Sequence, residues 1–457
     1  MHRGLTNLWS GLSEFLHIYG HPRIVAVMFL GFSSGLPLAL TFGTLSLWLA
    51  ESGISKTSIG LFALAGIPYT FKFLWAPLVD RLPIPGLTHL LGRRRGWALL
   101  SQFFLMMSIA AMGFTEPGVV PWWTAVFALS TAFWSATQDI VIDAYRVEVL
   151  DADQYGAGAA VVVLGYRLGM LTSGALALYL ATWFGWTITY LAMAGLMSVG
   201  MLTVLLAPEP RVPVSVASIR LEKQMRSRIA AIRGLGEGGR RLALWISAAI
   251  IGPFAEFLSR KGWMPILLFI LLYKLGDALA GVMGNPFYSE LGFTRIEIAE
   301  ISKVVGLTAT IAGAFLGGWM VKKLGITRTL LWCGILQLAS NLMFVVLARW
   351  GHDMPMFALT ILVENLSGGM GTSAFVAYLS SLCNIAYTAT QYALLTSFMS
   401  FGRTVLSSTG GWLADNMPWE LFFLATAAAA LPGLLLLVWM MKKYPPVVAA
   451  QPLDGVD

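Results

Sequence analysis

Lys274 and Asp277 stand three residues apart in the stretch YKLGDALAG (273–281), inside a run from Trp263 to Ser289 that holds no other charge. A run of this kind is long enough to cross a bilayer, which takes roughly 20 apolar residues. A charged side chain near the middle of such a span costs on the order of 2.5–3.5 kcal/mol on insertion scales, so two of them need a reason. Other apolar runs carry charges too. Lys72 lies in 57–79, and Asp139, Asp143 and Arg146 lie in 121–148 at i, i+4 and i+7, on a single helical face. Arg167 lies in 156–182, Glu364 in 355–383 and Arg403 in 388–414. Two kinds of chemistry fit them: exchange of a proton on a carboxylate, and capture of an anionic solute by the cations.

The five histidines (His2, His17, His21, His89, His352) all fall outside these runs. A proton carrier inside the membrane must therefore be a carboxylate, and Asp277, Asp139 and Glu364 are the candidates. Burial raises a carboxylate's pKa and a neighbouring cation lowers it, so proton and substrate can compete for one salt-bridge network. A plainer reading pairs the charges for packing or for a latch between conformational states: Lys274 with Asp277, Lys72 with Asp143, Arg167 with Asp139. Lys72, Asp143 and Arg146, with Asp80 and Arg81 at the end of the second run, are taken as gating ion pairs. Arg167, Lys274 and Arg403 sit at mid-depth in both halves and are taken as substrate-binding cations. Tyr145, Tyr273 and Gln138 adjoin charged residues and join them as substrate contacts. The glycine-rich SGGMG (367–371) has no following Lys-Ser/Thr and reads as close helix packing, not a phosphate loop.

The elements that must position these residues follow from composition. Of 457 residues, 57% are hydrophobic and only 12% charged, against about 25% charged in soluble domains. Twelve apolar runs are predicted, at 24–50, 57–79, 97–115, 121–148, 156–182 and 187–207, then 263–289, 296–321, 327–348, 355–383, 388–414 and 418–441. They are numbered below as spans one to twelve. The predicted architecture is an all-α integral membrane protein, with twelve transmembrane helices in two pseudo-symmetric six-helix bundles. The expected domains are residues 1–208, a linker with an interfacial helix at 209–262, a second bundle at 263–444 and a flexible tail at 445–457. The stretch 243–260, interrupted by Gly252-Pro253, is read as interfacial, since a thirteenth span would invert the second half.

With the N-terminus inside, 22 of the 30 Lys and Arg fall on the cytoplasmic side, and only Lys56, Arg295 and Arg349 on the other. The positive-inside rule then puts both termini in the cytoplasm. This basic surface faces anionic lipid, so no nucleic-acid partner is expected. Cys333 and Cys383 form no CxxC or disulfide framework. No metal, cofactor or enzymatic activity is expected, since the loops are short and the long one is basic.

The halves also resemble each other. DQYGAGAAVVVLGYRLGMLTSG (153–174) opens span five and TQYALLTSFMSFGRTVLSSTGG (390–411) opens span eleven. Each has Gln-Tyr, then an Arg (Arg167, Arg403), then two hydroxyl residues and a glycine at fixed distance. Arg167 and Arg403 are accordingly expected to face each other across a central cavity. Repeated halves of this kind mark a transporter with its site near the bilayer midplane.

Six plus six spans with a long central linker resemble the major facilitator superfamily. APLVDRLPIPGLTHLLGRRRGW (76–97) looks like a stretched G-x-x-x-D-R-x-G-R-R signature, with GGWMVKKLGITR (317–328) as its counterpart. FKFLWAPLVDR (71–81), ATQDIVIDAYRVE (136–148), YKLGDA (273–278), GMGTSAFVAYLSSLCN (369–384) and TATQYALLTS (388–397) resemble the AmpG-type muropeptide permeases. The main departure is the insertion at about 212–252. The resemblance implies proton-driven import of GlcNAc-1,6-anhydro-MurNAc, with or without its peptide, across the bacterial inner membrane. In that family such import feeds peptidoglycan recycling and β-lactamase induction. It also implies a monomer whose partners are muropeptide, protons and lipid. The rival reading is a facilitator of another anionic solute, such as acetyl-CoA or a drug.

Overall fold

Inside a bilayer the backbone must satisfy its own N–H and C=O groups, and a chain this apolar does so by forming helices. The computed structural model describes residues 18–210, 237–247, 251–407 and 409–444, and it contains no strand among them. The chain forms twelve transmembrane helices in two pseudo-symmetric six-helix bundles. Among the described residues seven segments are long and apolar enough to cross a membrane, and four of them are single helices: Arg93–Gly113, Pro121–Val149, Ile326–Trp350 and Trp419–Lys443. The expected linker 211–241 lies outside the described residues as far as 236, and so does the tail 445–457.

Two of the interrupted spans, two and seven, carry a lysine at the break. Span two is three short helices, Lys56–Phe62, Ile67–Phe71 and Ala76–Arg81, joined by 3-10 turns. Pro68 and Pro77 stand in the first turns of the later two, where a missing N–H does no harm, and each ends the helix before it. Lys72 occupies the second of these breaks. Span seven breaks between Trp263–Leu272 and Leu275–Glu290. Lys274 is the residue at the break, and Asp277 falls in the first turn of the second piece, where the helix dipole favours a carboxylate. Span five, Tyr155–Leu171, passes through a π-turn at Thr172–Leu176, the hydroxyl-hydroxyl-glycine triplet of the repeat. The chain then reverses at Gly185, whose φ of 78° suits glycine, to enter span six. In span eleven, Thr388–Ser407 and Thr409–Asn416 are helical.

Contacts divide the chain into two compact units. The first holds residues up to Asp151, Val161–Phe254 and Cys383–Leu394; the second holds Ala152–Ala160, Ala255–Leu382 and the remainder from Leu395. Within the first, spans one and five approach backbone to backbone: a Cβ on Gly165 or Gly169 would collide with the carbonyls of Met28 and Phe32, and one on Gly35 with that of Tyr166. Within the second, Gly313 and Gly317 do the same against Leu366 and Met370. Small residues at such crossings replace the hydrophobic drive that lipid cannot supply. Each unit has its own apolar core, Leu49, Leu105, Ile109, Met112 and Tyr190 in one and Phe287, Phe344, Phe357, Phe422 and Phe423 in the other. The helix Gly252–Leu258 buries Phe257, and the Pro253 carbonyl accepts a hydrogen bond from Gln391 at 3.1 Å.

Candidate functional site

In the first unit, span four is one unbroken helix, Pro121–Val149, so its i, i+4, i+7 charges do share a face. Lys72 reaches Asp143 at 3.9 Å, and Asp143 also accepts from Arg146 at 3.3 Å. Arg146 is fully buried; it donates to the Tyr392 hydroxyl at 2.7 Å and lies 5.2 Å from the centre of that ring. Asp139 is one turn along. It accepts a short hydrogen bond from the Ser34 hydroxyl and has no ion pair among the described residues, although the charges of Lys72 and Asp143 act on it. The neighbouring pair, Ser33 and Gln138, exchange two hydrogen bonds of 3.0 Å. Consecutive serines on span one thus meet consecutive residues on span four, which fixes the register of the two helices.

In the second unit, Lys274 binds Asp277 at 3.2 Å, both half-buried. Glu364 of span ten feels both charges, but its hydrogen-bond donor is the amide of Asn365. That amide is itself held, by the Ile361 carbonyl at 2.9 Å and by the Thr310 hydroxyl at 3.0 Å. Tyr273 stacks on Phe375 with ring centres 5.3 Å apart and donates to the Leu330 carbonyl at 2.9 Å. Its hydroxyl is therefore engaged within the protein.

A third constellation lies at the arginine-rich end of the first unit. The buried Asp80 carboxylate accepts from Arg94 at 2.8 Å, from the backbone N–H groups of Ala389 and Thr390 at 3.2 and 2.8 Å, and from the Thr390 hydroxyl at 2.6 Å. It caps the N-terminus of span eleven, where dipole and unpaired N–H groups favour an anion. Arg94 also grips Glu148 through two nitrogens, so a buried guanidinium is shared by two buried carboxylates. Such a group tolerates burial because every charge is paired and hydrogen-bonded. Arg81 sits 5.5 Å from the centre of the Tyr387 ring. Among the described residues no cluster of His, Cys, Asp and Glu has the makings of a metal site.

The substrate-binding candidates divide between the two units, Arg167, Tyr145 and Gln138 in the first and Lys274, Tyr273 and Arg403 in the second. Arg167 and Arg403 belong to different units, are exposed within their spans, and make no hydrogen bond or ion pair among the described residues. Tyr145 lies at the arginine-rich end, donating to the Pro208 carbonyl at 2.9 Å. Gln138 is engaged with Ser33. Sequence reasoning did not reach Ser34, Asn365, Arg94 or Glu148. For the last two a signal existed: Glu148 is in the matched stretch ATQDIVIDAYRVE, and Arg94 is in the arginine cluster of the stretched signature.

Comparison with known proteins agrees with this architecture. The model of the Major Facilitator Superfamily matches residues 27–284 and 266–455. The anhydromuropeptide permease of Escherichia coli K12 is 44% identical over 428 residues, 93% of this chain and 81% of that protein. A putative transporter, AmpG 4, of Rickettsia felis is 36% identical over 93% of this chain and 98% of its own length. Among solved structures, the proton:xylose symporter XylE aligns with a TM-score of 0.63 at 12% identity, over 95% of this chain and 96% of that one. A bacterial homologue of the iron transporter ferroportin, in an outward-facing state, aligns with a TM-score of 0.63 at 14% identity. These two likenesses concern the fold. The chain is a transporter of the major facilitator superfamily and, within it, belongs to the AmpG-type permeases.

Proposed function

We propose that this protein imports anhydromuropeptides, GlcNAc-1,6-anhydro-MurNAc and its peptide-bearing forms, from periplasm to cytoplasm across the bacterial inner membrane. The observation that carries the reading is 44% identity to an anhydromuropeptide permease along 93% of the chain. The membrane charges support it. Arg167 and Arg403 are cations within spans that the described protein leaves without a partner, and the carboxylates of a lactyl or peptidyl sugar would give them one.

The proton gradient supplies the drive. Asp139 and Glu364 have no ion pair among the described residues, and Asp277 is bound to Lys274, which an anionic substrate would recruit. Taking Lys274 away removes the charge that favours ionised Asp277 and Glu364, so substrate and proton binding become linked. Asp80, Arg94 and Glu148, with Lys72, Asp143 and Arg146, act as the latch that is broken and remade in the cycle. Both termini are cytoplasmic, the protein works as a monomer, and its product enters wall recycling and β-lactamase induction. Uptake of labelled anhydromuropeptide into proteoliposomes, with and without an imposed ΔpH, tests the reading. Accumulation only with ΔpH is the expected result. Uptake of acetyl-CoA in its place would overturn the substrate.

A further inference from the structure

The two carboxylates on the inner face of span four are held in different ways. Asp143 has two cationic partners, Lys72 at 3.9 Å and Arg146 at 3.3 Å. Asp139 has a neutral one, the Ser34 hydroxyl. The difference matters for proton exchange. Ammonium and guanidinium groups only donate hydrogen bonds, whereas a hydroxyl both donates and accepts. At Asp143 Lys72 faces Oδ2 and Arg146 faces Oδ1, so a proton on either oxygen meets a group that can only donate. A carboxylate facing serine keeps its partner: the hydroxyl donates to the charged form and accepts from the protonated form by rotating one bond.

We propose that Ser34 is a positioning residue that holds the Asp139 carboxyl in both of its protonation states, which makes Asp139, and not Asp143, the proton-exchanging group of the first unit. The inference rests on the proton-driven reading above. Ser34 is nearly buried, and the Ser33–Gln138 hydrogen bonds beside it lock the register that brings it to Asp139. Span one continues past Ser34 as a helix to Thr41, so the serine stays on a rigid element. The other groups facing Asp139 are Lys72 and Tyr69 of span two, Asp143 of its own helix and Tyr166 of span five. None of them is hydrogen-bonded to it among the described residues.

Infrared difference spectra of the purified protein in lipid vesicles, recorded against pH, test this without transport. The carboxylic C=O band that disappears in Asp139→Asn is the readout. In Ser34→Ala its midpoint should move to higher pH by about one unit, the excess of a hydrogen bond to the charged form over one to the protonated form. Ser34→Thr should restore it, and Ser34→Cys, a near-isosteric weaker donor, should give a smaller displacement in the same direction. Ser33→Ala, which loosens the same packing, should leave the midpoint in place. An unmoved midpoint in Ser34→Ala and Ser34→Cys overturns the proposal. So does an equal shift in Ser33→Ala, or the absence of any band that Asp139→Asn removes. The band shift combined with uptake indifferent to ΔpH would instead reject the proton-driven reading and leave the Ser34–Asp139 pairing intact.

Discussion

At the scale of single residues, unpaired and paired charges call for different tests of function against packing. Arg167 and Arg403 lack a partner among the described residues, so Arg→Ala at either should cost no internal contact and yet remove a substrate contact. Uptake should fall at least tenfold, the loss of about 1.4 kcal/mol of binding or more, while the amount of protein in the membrane is unchanged by quantitative blotting. Lys274 and Asp277 are the opposite case, a bound pair. If packing were their whole role, Lys274→Met/Asp277→Leu would transport like wild type, since no charge is left unpaired. The expected outcome is a well-expressed double variant that cannot concentrate substrate against a gradient. Accumulation at the wild-type level would return the pair to packing and leave Asp139 or Glu364 as the coupling groups.

In the solvent-exposed capping turn at the mouth of span eight, the carboxylate of Glu297 is held below the ordinary glutamate range, first by the Thr294 backbone N–H, then by the Thr294 hydroxyl and by His352 at 3.3 Å. A depressed value means that its stabilisation is complete above the unfolded-state pKa, about 4.3, and is lost as pH falls through the lower folded value. Amide protection in Arg295–Glu300 should therefore hold at neutral pH and fade below about pH 4. In Glu297→Gln hydrogen exchange should show protection that no longer varies over that range.

At the scale of helices, the discontinuities matter more than the rods. The Pro68 and Pro77 breaks in span two and the Tyr273–Lys274 break in span seven put lysines where the helix is already open, and the prolines were visible in the sequence. The runs themselves were equally legible, because a bilayer imposes length and apolarity on each. Side-chain direction was not. On a helix, successive residues point about 100° apart, so standing next to a charge says little. Tyr145 follows Ala144 on the charged helix and reaches Pro208, and Gln138 precedes Asp139 and reaches Ser33. Ser34 was invisible for a different reason. Hydroxyls in helices commonly bond back to their own backbone, as Thr41 does to Pro37 and Thr172 to Leu168, and nothing in the letters shows which one turns outward. The close crossings give a prediction at this scale. A valine at Gly169 meets the Phe32 carbonyl, which cannot swing aside. Gly169→Val should lower the detergent-solubilised melting midpoint by several degrees, an overpacking cost of about 1–3 kcal/mol. An unchanged midpoint would mean that spans one and five separate more easily than their packing suggests.

At the scale of the whole molecule, the orientation expected from the basic residues is directly measurable. Cysteines introduced at Lys56, Glu116 and His352 should react with a membrane-impermeant thiol reagent applied from the periplasm. Cysteines within 211–241 should not. Labelling of the linker from outside would invert the topology and, with it, the direction of import.

The cap that Asp80 places on span eleven has a consequence for how the protein is made. Asp80 and Thr390 are 310 positions apart. At synthesis rates of about 5–20 residues per second, the carboxylate waits on the order of 15–60 s for the backbone groups it will hold. For that interval Arg94, 14 positions away, is the partner already synthesised. A chain that ends before residue 388 has Arg94 to pair with Asp80 but lacks the two backbone N–H groups and the hydroxyl that complete the carboxylate's hydrogen bonding.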